Sequence, residues 1–260
     1  MSDSTPAPTE QSVQINLRDM ASRYMTAIQR TFDLASASIG SLRCQTEKDY
    51  EDFSRLARFM PAPEAHQPFD KIRPQTEAWL LRVLLNEAFG TIVPLLEDCR
   101  SVVALAQWKA SGSTDQKEVQ KILGEDRQAY LRLSLVDKIQ HLRDKFNLNV
   151  PNDTFVAPYV KLTQCLTRGG AVIEADATDG SDLVVPLLMV QIDPAQGGQN
   201  ASGRLVTAQK RFSPGQTVEF RKEEVLNVFA AFSLFTSGLL GTLQAKIQEL
   251  LPNEVGTPVA

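Results

Sequence analysis

Residues 134–170 read SLVDKIQHLRDKFNLNVPNDTFVAPYVKLTQCLTRGG, and this pattern predicts two consecutive helices. Ser134 and Asp137 have the spacing of a capping box, with Asp in the place of Glu, so the first helix should begin at Ser134. Its apolar side chains recur every three or four residues and form one buried face, and the pattern stops before Pro151. The second helix should run from about Asp153 to the pair of glycines, because glycine commonly follows the last turn of a helix.

The N-terminal half of the chain has the same helical pattern. Residues 13–44 carry an apolar stripe with a period of three to four residues, and a second helix should follow the capping residue Thr46. Residues 74–109 are rich in Leu, Ala, Val and Trp, but they include Gly90 and Pro94. Because these two residues break or kink helices, the sequence predicts two collinear or bent helices there.

The pattern changes after the glycine pair. Over about 171–220, β-branched runs alternate with turn residues, which predicts a three- or four-stranded antiparallel meander. Pro186 should lie at an edge or a bulge, because proline cannot donate to a strand ladder. The helical pattern then returns over 222–251.

The expected fold class is therefore mainly α: a helical bundle with a small antiparallel β-meander inserted before the C-terminal helix. We expect a single domain over 13–251, since one hydrophobic core is the simplest arrangement for a chain of this length. The two ends, 1–12 and 252–260, are expected to be disordered tails.

Composition argues against several classes of protein. The chain has 260 residues, a formal net charge of -4 and a pI of about 5.4, so it has no overall field to attract a polyanion. Its three cysteines are widely spaced and match neither a disulfide framework nor a zinc site. The N-terminus lacks the basic start and apolar core of a secretory signal. We therefore expect a cytoplasmic protein with no metal and no cofactor.

One stretch raises the question of a membrane. Val225 to Leu243, VLNVFAAFSLFTSGLLGTL, carries no charge over nineteen residues, which is close to the length of a bilayer span. The stretch contains Asn, Ser and Thr, however, and runs into an amphipathic segment, so it predicts a buried core helix without stable transmembrane insertion. The alternative is a peripheral membrane or assembly protein that docks this helix into a bilayer or a partner's groove.

Histidines, the commonest acid–base residues, are scarce in this chain. His141 lies off the apolar stripe of its helix, so we expect it to be solvated. His66 lies in a proline-rich loop, eight positions after Arg58. Arg58 and His66 could serve a ribonuclease with its own pair of residues, but Pro61 and Pro63 between them argue against a shared helical face.

The central helices are similar to a pattern of HEPN-type helical proteins. In residues 131–148, LRLSLVDKIQHLRDKFNL, and 159–173, YVKLTQCLTRGGAVI, a capped helix precedes a second helix that ends in glycine. HEPN proteins carry an Arg-Asn-x-x-x-His element on that second helix, followed by a glycine, a strand and a small β-insert. The resemblance implies a homodimer in which the arginine and histidine face the partner and assist RNA cleavage by the ribose hydroxyl.

This chain keeps the frame of that pattern and departs from its catalytic residues. The matching positions are packing and turn residues: Cys165, Leu166, Gly170 and Val172. Thr163 and Gln164 stand where the Arg-Asn pair would be. Thr167 or Arg168 stands where the histidine would be, depending on the placement of a one-residue gap. Neither Thr nor Arg exchanges a proton near neutral pH, so the acid–base step of the family has no agent here.

These departures lead us to expect binding in place of catalysis. The resemblance implies a polar cleft of Thr163, Gln164, Thr167 and Arg168, in which the arginine could hold a phosphate or a carboxylate. We expect a catalytically inactive HEPN-like interaction protein that forms a homodimer and contacts another protein, in a bacterial defence or stress response as for many relatives of the family. RNA is the alternative partner. The alternative functions are the ribonuclease and the peripheral membrane or assembly protein described above.

Overall fold

The computed structural model describes residues 16–56, 67–168, 171–192 and 203–252. They are mainly helical, with a small antiparallel sheet before the last helix, as the sequence predicts. The helices are α1 (Leu17–Cys44), α2 (Glu47–Leu56), α3 (Phe69–Ala110), α4 (Gln116–Leu123), α5 (Glu125–Leu131), α6 (Leu135–Phe146), α7 (Val156–Arg168) and α8 (Lys222–Leu250). The strands are β1 (Leu183–Ile192) and β2 (Gly203–Phe212). The predicted tails, 1–12 and 252–260, lie outside the described residues except for Pro252.

Three long helices, α1, α3 and α8, form the centre of the bundle. α1 and α3 run antiparallel, because the ion pairs between them fall in opposite order along the two helices: Arg23 with Asp98, Arg30 with Glu87, and Arg43 with Glu77. α8 packs against both of them. Its apolar stretch contributes these buried residues to the core: Val228, Phe229, Phe232, Phe235, Leu239 and Leu243. The uncharged stretch thus contributes to the core of the described bundle, as the sequence predicts.

Two helices, α3 and residues 223–250 of α8, are each long and apolar enough to cross a membrane. Core helices of soluble proteins can have the same length and composition. These two properties alone therefore do not distinguish a core helix from a membrane-spanning helix. Among the described residues, no exposed large apolar side chain lies on α8. Its apolar surface is directed mainly at the other helices.

α3 is one continuous helix of 42 residues, and the predicted interruption into two helices at Gly90 and Pro94 is wrong. Proline inside a helix costs about 3 kcal/mol, because it removes a backbone hydrogen bond and crowds the preceding turn. Burial outweighs this cost, since the neighbouring Ala88, Ile92 and Leu95 are fully buried. Gly90 and Pro94 themselves lie on the exposed side of the helix.

The two helices predicted from residues 134–170 are both present. Ser134 Oγ accepts the backbone N–H of Asp137 at 3.2 Å, so α6 begins with the predicted cap. A short 3-10 turn, Asp153–Phe155, then leads into α7. Pro158 falls in the first turn of α7, where a missing backbone N–H costs little because that donor has no partner within the helix.

Among the residues that the structure describes after α7, the β element has two strands in place of the predicted three or four. β1 and β2 pair antiparallel along all ten residues of each strand. The further strands predicted on either side form only an isolated bridge between Val172 and Thr217, because a 3-10 turn at Asp176–Thr178 and the left-handed Asp179 end the first run. Pro186 lies in an edge strand, as predicted, since both strands of a two-stranded sheet are edges.

Candidate functional site

The four residues expected to form a polar cleft, Thr163, Gln164, Thr167 and Arg168, line one groove at the surface of the bundle. The groove has a volume of about 370 Å³ and lies between α3, α6 and α7. The other side chains that line it are Asn86, Phe89, Val93, Leu135 and Val160. The positions that would carry the catalytic element in HEPN proteins thus lie together on an open surface beside α3.

α7 presents these residues because its opposite face is buried. Tyr159, Leu162 and Leu166 pack into the core. The Tyr159 hydroxyl also donates a hydrogen bond of 2.7 Å to the carbonyl of Pro186, which ties α7 to β1. Residues three and four apart share one face of a helix, so fixing the buried face also fixes which residues point outward. Gln164, and one turn further on Thr167 and Arg168, therefore point toward the groove.

The groove combines apolar walls with a polar rim. Phe89 packs on Phe232 of α8, with ring centroids 5.2 Å apart, and is half-buried like Val93, Leu135 and Val160. The exposed residues of the rim are Asn86, Gln164, Thr167 and Arg168. Apolar walls with a few polar groups at the edge are typical of sites that receive an apolar side chain or a small molecule.

The two threonine hydroxyls of the groove are already engaged. Thr163 Oγ1 donates to the carbonyl of Tyr159 at 2.8 Å, and Thr167 Oγ1 donates to the carbonyl of Thr163 at 2.8 Å. Bonds of this kind to the preceding turn leave each hydroxyl only acceptor capacity toward a ligand. Neither threonine is hydrogen-bonded to a base, so neither is prepared to act as a nucleophile.

The chemistry available in the groove is binding chemistry. No described residue that lines it titrates near neutral pH. Cys165 lies on the same helix but is buried, and burial raises the pKa of its thiol, so a reactive thiolate is disfavoured. Arg168 is exposed and can hold an anion or stack on an aromatic ring.

The groove continues into an apolar face of α3 that the sequence did not lead us to expect. Trp79 is 53% exposed and Val83 is 41% exposed. They lie on the same side of α3 as Asn86 and Val93, because the successive steps from Trp79 to Val93 are four, three and seven residues. Only this spacing could have suggested the face, since the composition of α3 is equally typical of a helix buried on every side.

A second polar cluster lies inside the bundle, between α3, α5 and α6. Lys138 Nζ is buried and donates to the carbonyls of Tyr130 and Leu131 at 2.7 and 2.9 Å. Arg100 is also buried and donates to the carbonyl of Ile122 at 2.6 Å. These carbonyls belong to the last turns of α5 and α4, where the helix offers them no backbone N–H donor. The two buried cations therefore cap two short helices, which is a structural role.

His141 is half-buried, so the expectation that it is solvated is wrong. Its ring lies near those of Tyr130 and Phe146, with centroid distances of 5.1 and 5.8 Å, and its Nε2 atom is buried without a hydrogen-bond partner. The cause is α5, a helix that was not predicted, which places Tyr130 over this side of α6. Burial lowers the pKa of His141.

The remaining candidates, Arg58 and His66, lie outside the described residues. Within the part of the chain that the structure describes, no group of three or more His, Cys, Asp or Glu side chains could hold a metal ion. Comparisons with protein-family models, curated proteins and solved structures give no match for this chain. Kinship with HEPN proteins therefore stays a prediction.

Proposed function

We propose that the chain is a catalytically inactive, HEPN-like interaction protein that works as a homodimer, with the groove between α3, α6 and α7 as part of its contact surface. The observation that carries the proposal is the lining of this groove. It combines half-buried apolar walls with Gln164, Thr167 and Arg168 at the rim, and its described residues include no group that exchanges protons near neutral pH.

The exposed apolar face of α3 supports the dimer. Soluble monomers rarely leave several large apolar side chains exposed together, and such patches commonly mark contact sites. Trp79 and Val83 lie beside the groove on this face. The biological setting implied by the resemblance is a bacterial defence or stress response in which the dimer contacts another protein, with RNA as the alternative partner.

The oligomeric state is the first test of this function. Light scattering after size exclusion measures the molar mass of the purified full-length chain. We expect a mass close to twice that of one 28.7 kDa chain at micromolar concentration. A strict monomer at the highest soluble concentration would count against the proposal.

The absence of catalysis needs a separate experiment. Purified protein is incubated with total RNA, beside a His66→Ala variant as control. We expect the RNA to remain intact with both proteins, because the groove offers no acid–base pair. Cleavage by the wild type that disappears in His66→Ala would support the ribonuclease alternative instead.

Docking of α8 into a bilayer is the second candidate, motivated by its length and apolar composition. The outward-facing residues of this helix include Ser237, Gly241 and Ala245, which offer little apolar area to lipid. Flotation with neutral and anionic liposomes tests the idea. Protein that floats with either lipid would favour it, and protein that stays at the bottom with both would remove it.

A further inference from the structure

The exposed face of α3 has a bulky end. Trp79 is 53% exposed, and Val83 lies one turn further along the same face. Tryptophan buries a large area on contact and is enriched among residues that dominate binding energy. Its position therefore points to a partner surface that covers it.

α1 widens this face. Arg30 of α1 forms an ion pair of 2.7 Å with Glu87 of α3. Because the two helices are antiparallel, the residue one turn after Arg30 lies next to the residue one turn before Glu87. These residues are Leu34 and Val83, and Leu34 is 46% exposed. Trp79, Val83 and Leu34 together form one exposed apolar patch.

Further along the same face of α3, toward the C-terminus, the side chains are smaller and the face borders the groove. Gly90 has no side chain, and a Cβ atom placed on it would meet no atom within 4 Å. Val93 follows one turn further and forms part of the groove wall. A groove of about 370 Å³ lies within the range of pockets that hold small molecules, roughly 300–1,000 Å³, and can accept an aromatic side chain.

We propose that each copy in the dimer inserts its Trp79 into the groove of the other copy; this assignment rests on the proposed function. Trp79 and Val93 lie seven residues on either side of Asn86. When two copies of α3 cross antiparallel about a two-fold axis at Asn86, the bulky end of each helix faces the hollow end of the other. A two-fold contact uses the same patch on both chains, so it requires a surface that carries both a projection and a recess. The stripe from Trp79 to Val93 meets that requirement.

The distribution of charge fits the same contact. The stripe itself consists of Trp79, Val83, Asn86, Gly90 and Val93 and carries no charge, as is usual at the centre of a protein interface. Arg168 is exposed at the rim of the groove and forms no ion pair with the described residues. A guanidinium group stacks favourably on an indole ring. Arg168 can therefore lie over the tryptophan that enters from the second copy.

Removing the indole is the first test. Trp79→Ser changes an exposed position, so the monomer should stay folded. We expect the dissociation constant of the dimer, measured by sedimentation equilibrium of the full-length chain, to rise by at least about tenfold. Phe53→Ser is the matched control, because Phe53 is a 71% exposed aromatic residue on another helix, α2, and it should leave the constant unchanged. A Trp79→Ser chain that dimerises as tightly as the wild type would overturn the assignment.

The second test places a long side chain beside the groove, at Gly90, which lies between the groove residues Asn86 and Val93 along α3. Because Gly90 is exposed, the result does not depend on a loss of folding. Gly90→Lys should stabilise the monomer slightly, because lysine favours helix more than glycine does, while it weakens the dimer by at least about tenfold. Gly241→Lys on α8 is the matched control, since both glycines are helical, exposed and free of other atoms within 4 Å of an added Cβ. The control should raise stability without changing dimerisation.

The outcomes separate this assignment from the proposed function. A wild-type dimer that resists both Trp79→Ser and Gly90→Lys would place the interface elsewhere and overturn the assignment alone. A wild-type chain that stays monomeric at every concentration would overturn the assignment and the proposed homodimer together.

Discussion

At the scale of single residues, the buried cations of this protein act as helix caps. Lys138 and Arg100 donate to carbonyls at the ends of α5 and α4, which would otherwise lose their hydrogen bonds to water on folding. Burial lowers the pKa of both side chains, yet each keeps its hydrogen bonds to main-chain oxygens. Two short helices with little apolar surface are thereby fixed to the body of the bundle.

Replacing Lys138 with Met tests this role. The substitution keeps an apolar side chain of similar length but leaves the carbonyls of Tyr130 and Leu131 without that donor. The free energy of unfolding should fall by about 1–3 kcal/mol in chemical denaturation. Lys145→Met is the matched control on the same helix, because Lys145 is exposed and its loss should cost less than about 0.5 kcal/mol. Equal losses in the two variants would contradict a capping role.

The half-buried ring of His141 predicts a pH dependence of stability. Burial lowers its pKa, Lys145 and Arg100 lower it further, and Asp126 and Asp144 oppose the change. The folded chain therefore binds the proton less readily than the unfolded chain, in which the pKa is about 6.5. The stabilising contribution of the neutral ring is complete above that value and is lost as pH falls through the folded pKa.

His141→Gln should remove this part of the pH dependence. Between about pH 7.5 and pH 5, the free energy of unfolding of the wild type should fall more steeply than that of the variant, because glutamine does not titrate. Urea denaturation at a series of pH values measures both slopes. Parallel curves would show that the ring gains its proton as easily in the folded chain as in the unfolded one.

At the scale of elements, the sequence predicted local structure well where local chemistry decides it. The start of α6 at Ser134 depends on a hydrogen bond between neighbours in the chain, so it was predicted correctly. The continuity of α3 through Gly90 and Pro94 depends on burial against other helices, which outweighs local preference and cannot be read from the segment itself. The two-stranded form of the sheet was likewise missed, because pairing depends on where distant segments meet.

Glu224 joins two elements, and its loss should loosen the sheet. It accepts the backbone N–H of Arg221 at 2.7 Å at the start of α8 and forms an ion pair of 2.5 Å with Lys210 of β2. Glu224→Ala removes both contacts and leaves the half-buried lysine unpaired, so unfolding should become easier by roughly 1–3 kcal/mol. Glu223→Ala, an exposed neighbour in the same turn, is the control.

Hydrogen exchange shows whether the sheet is the part that responds. The amides of β1 and β2 should exchange faster in Glu224→Ala than in Glu223→Ala, because the tie between β2 and α8 is lost. Uniform acceleration over the whole bundle, or none in the sheet, would argue against this coupling.

At the scale of the whole molecule, the candidate site depends on which helices lie side by side. The expected resemblance to HEPN proteins suggested Thr163, Gln164, Thr167 and Arg168, and the structure brings all four to one groove. The 53% exposure of Trp79 could not be predicted, because it depends on which face of α3 the other helices cover. A helical pattern shows that a face is apolar, but only the packed structure shows whether the same molecule covers it.

The central claim is that tryptophan and groove meet across two copies of the chain, and mixing two variants tests it most directly. The Trp79→Ser chain keeps an open groove, and the Gly90→Lys chain keeps its tryptophan, so a mixed pair can restore one of the two symmetric contacts. Sedimentation equilibrium of an equimolar mixture should show tighter association than either variant alone at the same total concentration. A mixture that associates no more tightly than its two components would contradict the account.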